Sequence, residues 1–188
     1  MTKKTFWVAI LMMTSVATFS CTQQDKGKEG KTPATIPAQA DKDLAADEEK
    51  DNPDKPLAPD FTLKDLDGKD MTLSSLRGSY VVLDFWGSWC VWCIRGIPKM
   101  KEYYNKYAGK FEILGIDCHD TPDDWREAVK AHQLPWKHVY MPDDSSLLKT
   151  YSIQGFPTKI IISPDGTIVN TFIGESEEFY NTLDSLFQ

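Results

Sequence analysis

From residue 57 onward the chain alternates between two hydrophobic rhythms. Phe61-Thr62-Leu63 and Met71-Thr72-Leu73 alternate apolar and polar positions on either side of Asp67-Gly68, which predicts a hairpin. Tyr80 to Phe85 reads YVVLDF, a run broken only by Asp84, and predicts a buried strand. A helical pattern follows from Val91 to Tyr107, then a strand from Phe111 to Ile116. Pro122 to Gln133 predicts a helix with Asp123 and Asp124 in its first turn, where carboxylates meet the positive end of the dipole. A short strand at His138 to Met141 and a helix at Ser145 to Tyr151 come next. Thr158 to Ser163 and Thr167 to Phe172 predict two strands around the turn Pro164-Asp165-Gly166, and Glu175 to Phe187 closes the chain as an amphipathic helix. Strands alternating with helices, preceded by one hairpin and followed by another, predict a three-layer α/β sandwich around a mixed central sheet.

The first 56 residues follow neither rhythm. Lys3 and Lys4 precede an apolar run from Phe6 to Met13 that weakens through Val16 and Ala17 to Phe19. That arrangement predicts a secretory signal over residues 1–20, too short to cross a bilayer comfortably. Two endings are open. Ser15-Val16-Ala17 offers small residues for ordinary cleavage, whereas Thr18-Phe19-Ser20-Cys21 resembles a bacterial lipoprotein box in which Cys21 carries the lipid. Residues 22–56 contain no aromatic residue, and Ile36 and Leu44 are their only large aliphatics. Such a stretch cannot bury enough apolar surface to offset its ordering entropy, so a disordered tether over 21–56 is expected, with a short helix at Asp41 to Lys50 as the alternative. The tether favours the lipidated ending. The folded domain is then 57–188, long enough for its own core.

Charge narrows the partners. Without Lys3 and Lys4 the 21 basic residues fall to 19 against 28 acidic ones, a net of −9, and no basic cluster interrupts the acidic surface. Nucleic acid and anionic lipid surfaces are excluded as preferred partners.

The chemistry is concentrated in FWGSWCVWC, residues 85–93, where three tryptophans surround two cysteines. Cys90 falls just beyond a buried strand and at the start of a helix, with Cys93 one turn on. A helix N-terminus leaves N–H groups unpaired and carries partial positive charge, which favours a thiolate. Cysteines in such motifs have pKa values lowered from ~8.5 to roughly 3.5–7.5. The pattern predicts thiol–disulfide exchange, in which Cys90 attacks a substrate disulfide and Cys93 resolves the mixed disulfide. On this reading Cys90 is the exposed thiol of the reduced protein. Trp86 and Trp89 would wall the site and shape a docking surface, while Trp92 tunes the pair. A structural disulfide is one alternative, although a ring this small gains little loop entropy. A zinc half-site is another, with Cys118, His119, His132 and His138 the only further ligands of that kind within 57–188, none at knuckle spacing. Trp125 and Trp136 are expected in the core.

APDFTLKDLDGKDMTLSSLRGSYVVLDFWGSWCVWCIRGIP, with W-C-x-x-C, Pro98 and Gly155-Phe156-Pro157-Thr158, resembles the TlpA/ResA-like branch of the thioredoxin superfamily over essentially all of 57–188. The resemblance implies a thioredoxin-like three-layer α/β/α sandwich with an N-terminal hairpin. It implies a cis Pro157 facing the cysteines, with Phe156 offering backbone groups to an extended substrate, and a helix kinked at Pro98. Pro157, Phe156, Trp89 and Trp92 are the expected substrate contacts. Asp84, six residues before Cys90, matches a buried acid of thioredoxin, where a raised pKa suits it to relay the proton of Cys93. The alternative for Asp84 is a strand acid that only hydrogen-bonds or faces solvent. Val91-Trp92 matches neither the Gly-Pro common in reductants nor the His common in oxidants and isomerases. Cys118 is expected to be a buried, inert thiol.

The function these features predict is an exported protein thiol–disulfide oxidoreductase that reduces disulfides of exported proteins, apocytochromes before haem attachment among them. It would be a monomer without metal or other cofactor, on the periplasmic side of a bacterial envelope. Lipid would anchor it to a membrane, and a membrane thiol reductase would supply electrons. Three alternatives stand beside it. A peroxiredoxin-like peroxidase shares the A-P-D-F-x-L opening, but its P-x-x-x-T-x-x-C context is missing from FWGSWC. A thioredoxin-like adaptor would leave the cysteines incidental. An isomerase would need a dimerisation segment that the chain does not supply.

Overall fold

The computed structural model describes residues 55–142 and 146–188. The expected signal, Cys21 and nearly all of the tether lie outside the described residues.

The elements follow the hydrophobic rhythm closely. Strands β1 (Thr62–Asp65) and β2 (Asp70–Thr72) form the hairpin, and a 3-10 turn over Leu73–Leu76 leads to β3 (Tyr80–Trp86). Then come α1 (Val91–Lys106), β4 (Phe111–Asp117), α2 (Pro122–Ala131) and β5 (Lys137–Tyr140). The chain ends with α3 (Ser146–Thr150), β6 (Thr158–Ile162), β7 (Ile168–Ile173) and α4 (Glu177–Phe187). Seven strands make one sheet in the order β2-β1-β5-β4-β3-β6-β7. β3, β4 and β5 run parallel, while the hairpin, β6 and β7 pair antiparallel to their neighbours. The fold is a thioredoxin-like mixed α/β sandwich.

The period of two along β3 explains how the layers form. Val81, Leu83 and Phe85 enter one core with Ala58, Leu73, Leu147 and Tyr151, beneath α3 and the N-terminal segment. Val82, Asp84 and Trp86 point to the opposite face, which α1, α2 and α4 cover. Each buried valine or leucine contributes about 1.5–3 kcal/mol relative to exposure, and Asp84 is the one acidic group in this strand. Trp125 and Trp136 are buried, as their surroundings of helix and strand require.

Local signals set the helix ends. Thr121 accepts a hydrogen bond from the Asp124 N–H at 3.2 Å, Pro122 occupies the first turn, and Asp123 and Asp124 follow. Pro98 lies inside α1, where it removes one N–H from the ladder.

Candidate active site

Strand β3 ends at Trp86, and Gly87, Ser88 and Trp89 carry the chain across to α1. The crossing is clamped. The Ser88 N–H and hydroxyl donate to the two Asp120 carboxylate oxygens at 2.6 and 2.7 Å, and Trp89 Nε1 donates to the Cys118 carbonyl at 2.9 Å. A Cβ at position 87 would collide with Trp89 Nε1 and fall 2.8 Å from that carbonyl, so only glycine fits.

Cys90 is the N-cap of α1, and its Sγ accepts the Cys93 N–H at 3.1 Å. The two cysteines form a disulfide with their Cα atoms 5.2 Å apart. Both are buried in this oxidised form, Cys90 at 5% and Cys93 at 7% exposure, so accessibility does not separate them here as it was expected to in the dithiol. Position does, because only Cys90 sits on the helix terminus.

The Phe156–Pro157 bond is cis. Phe156 packs edge-on against Trp89, centroids 5.3 Å apart, and against His119 at 5.9 Å. The tryptophans divide their positions. Trp86 is buried with Cys90, Cys93 and Trp125 on the inner side of the disulfide. Trp89 is half-exposed, and Trp92 is 60% exposed with the Arg95 guanidinium 5.0 Å from its ring centre. Val91 and Ile173 are exposed apolar residues as well.

Beneath the disulfide lies a cavity of about 10 Å³, room for roughly one water. Asp84, Trp86, Cys93, Pro157 and Lys159 line it together. Asp84 is buried, and no donor among the described residues reaches its Oδ1. Burial pushes its pKa up, the Lys159 ammonium opposes that shift, and the Glu175 carboxylate reinforces it. This is the environment expected of a group that exchanges a proton.

Cys118 is free and fully buried, with its thiol pKa raised chiefly by burial and further by Asp117. Its neighbour Asp117 is fully buried too, and burial and the adjacent Asp120 push its carboxyl up to about 9. Among the described residues no group of three or more His, Cys, Asp and Glu side chains is placed to hold a metal ion.

Three residues were not anticipated from sequence. Lys159 is buried, pairs with Glu175 at 2.9 Å, and stands opposite Asp84 in the β3–β6 register. The signal was a lysine inside the apolar strand TKIII, the counterpart of an aspartate inside VVLDF. Asp120, which clamps Ser88, left no comparable trace.

Sequence and structure comparisons agree with this geometry. A model of the AhpC/TSA family matches residues 56–171. The thiol-disulfide oxidoreductase ResA of Bacillus cereus is 38% identical over 119 residues, covering 63% of this chain and 68% of the relative. ResA of Bacillus subtilis is 30% identical over 122 residues, covering 64% and 68%. The thioredoxin domain of a thiol-disulfide oxidoreductase from Bacteroides vulgatus superposes with a TM-score of 0.66 at 31% identity, covering 71% of this chain and 97% of that one. A thiol:disulfide interchange protein from a Bacteroides species gives 0.65 at 31% identity, covering 71% and 89%. With its disulfide-bonded Cys-x-x-Cys at the head of α1, the chain belongs to the AhpC/TSA family, among the ResA-like thiol-disulfide oxidoreductases.

Proposed function

We propose that this oxidoreductase works as a reductant of disulfides in exported proteins, held on the outer side of a bacterial membrane by a tether lipidated at Cys21. The observation that carries the direction is the sparse polar environment of Cys90. Its Sγ receives the Cys93 N–H, while both intervening side chains, Val91 and Trp92, are apolar. A thiolate stabilised this weakly makes the dithiol the high-energy form, and such a pair gives its electrons away.

The residues then act in sequence. The Cys90 thiolate attacks one sulfur of the substrate disulfide, and the other leaves as a thiolate that takes a proton from solvent. The Cys93 thiol passes its proton to Asp84, and the resulting thiolate attacks Cys90 Sγ. The second substrate sulfur departs, the substrate gains two electrons, and the protein keeps a Cys90–Cys93 disulfide. A membrane thiol donor restores the dithiol. Trp89, Trp92 and Phe156 with Pro157 supply apolar surface on which an extended segment aligns, a positioning contribution made before the chemistry. Apocytochromes, whose paired cysteines must be reduced before haem attachment, are a substrate class of the right kind.

The family also raises a peroxidase reading, which one comparison separates. The reduced full-length chain is mixed in parallel with hydrogen peroxide and with a disulfide-bonded unstructured peptide. The expected result is that the peptide oxidises the dithiol on the order of 10²-fold faster at equal concentration, since an oriented substrate gains effective molarity. Faster oxidation by peroxide would overturn the reductant assignment.

A further inference from the structure

Across the sheet, one row of positions links Lys159 on β6, Asp84 on β3, Gly115 on β4 and His138 on β5. Directly opposed residues in an antiparallel pair hold their side chains within reach of one another on the same face. Lys159 is only 3% exposed in its side chain, and its ammonium meets Glu175 Oε2 at 2.9 Å. Glu175 is bonded once more and packs closely on α1. Its Oε1 accepts from the Tyr180 hydroxyl, and its Oε2 occupies the place where a Cβ on Gly96 would be. The carboxylate therefore fills the side-chain space of residue 96, on the turn of α1 just after Cys93. Removing Glu175 would leave the buried Lys159 ammonium uncompensated, so the pair's presence beside the buried Asp84 calls for a role.

We infer that Lys159 and Glu175 are positioning residues that set the charge of Asp84, and so fix the pH range in which Cys93 can resolve a mixed disulfide. This rests on reading Asp84 as the acceptor of the Cys93 proton. The charges work in opposite directions. Lys159 favours ionised Asp84 and Glu175 disfavours it. With all three ionised the cluster is −, +, −, and when Asp84 takes the proton it becomes a neutral pair. The burial of Asp84 is thus offset in part by Lys159, while Glu175 keeps that lysine from locking Asp84 in its charged form. The other ionisable groups that face or flank this cluster are Cys93 and Lys99 from α1, Cys118 after β4, His138 from β5, and Glu177 and Tyr180 from α4. His138, with its pKa lowered to about 4 by burial, is neutral over the working range.

An aromatic disulfide that releases a coloured thiolate, 5,5′-dithiobis(2-nitrobenzoate), reads the two steps separately. Attack by Cys90 releases one equivalent, and resolution by Cys93 releases a second in a phase independent of reagent concentration. The rate of that second phase is followed from pH 5 to 10 in the full chain. Glu175→Gln should move its midpoint about one unit lower and Lys159→Met about one unit higher. At a pH on the rising limb, each shift is about a tenfold change in rate, of opposite sign. Gly96→Ala, which pushes the carboxylate off Lys159, should shift it in the same direction as Glu175→Gln, and carries the test should Lys159→Met fail to fold. If Asp84→Asn abolishes the limb while Glu175→Gln and Gly96→Ala leave the wild-type midpoint in place, the inference is wrong and the Asp84 reading survives. If Asp84→Asn retains the limb, the Asp84 reading itself fails.

Discussion

Cys93→Ser is expected to convert the protein from a catalyst into a trap. Cys90 keeps its place at the N-cap of α1 and still attacks a disulfide, because a serine at 93 presents the same backbone N–H donor to it. What is lost is the second thiol that must expel the substrate. Turnover of a disulfide peptide should fall on the order of 10³-fold or more, the size of effect seen when one member of a unit that acts together is removed. A covalent adduct should accumulate at the same time, visible as the mass of one substrate chain and released by dithiothreitol. Cys90→Ser should lose turnover equally and form no such adduct. Adduct formation through Cys93 in the Cys90→Ser chain, at the wild-type rate, would reverse the two roles.

Asp84→Asn should have the second-largest effect, and it should be confined to one step. The amide keeps the shape of the carboxyl but cannot take the Cys93 proton. Formation of the mixed disulfide should stay within a few-fold of wild type, while its resolution at neutral pH slows by about 10²-fold, the lower end of what a positioned proton acceptor contributes. The stability should move the other way. The carboxyl has a raised pKa in the folded state and an ordinary one near ~3.9 when unfolded. The folded chain therefore holds its proton to higher pH, and wild-type stability falls as pH rises from the unfolded value through the folded one. Asp84→Asn removes that slope. Its urea midpoint should match wild type at pH 4 and equal or exceed it at pH 8. Equal slowing of both kinetic steps would make Asp84 a structural residue.

Much of this was legible in the chain because the relevant signals are local. YVVLDF and TKIII are strands because apolar, β-branched residues favour a buried pleat, and Asp67-Gly68 marks a hairpin through its backbone freedom. Cys90 declares itself because strand, motif and helix start are contiguous. The element ends were less legible. β3 and β4 each run one residue further than their apolar pattern, to Trp86 and Asp117, because those two residues are partners in the parallel register. α2 stops at Ala131, two residues early, where Gln133 turns to a φ of 49°. Leu73 leaves the strand pattern for a 3-10 turn, its N–H bonding back to the Phe61 carbonyl.

The Lys159–Glu175 pair was illegible for a different reason. Its members lie 75 and 91 residues from Asp84 in sequence, and only the β3–β6 register and the loop into α4 bring them together. Even Gly96 gave no warning, since nothing local says that the missing side chain is replaced by a carboxylate from the far end of the fold. Charges inside apolar strands are the trace such clusters leave, and an acid in one strand with a lysine in its neighbour is the pattern that marks this one.

Whether Cys90 and Cys93 form a reducing pair is tested most directly by their reduction potential. The full chain is equilibrated with graded mixtures of reduced and oxidised dithiothreitol or glutathione, quenched in acid, alkylated, and scored by mass for dithiol and disulfide. The expected value is near −270 mV or below, the range of thioredoxin-type reductants, because little stabilises the Cys90 thiolate beyond the helix terminus and one N–H. A value near −120 mV, the range of a strong oxidant whose dithiol is the favoured form, would contradict it.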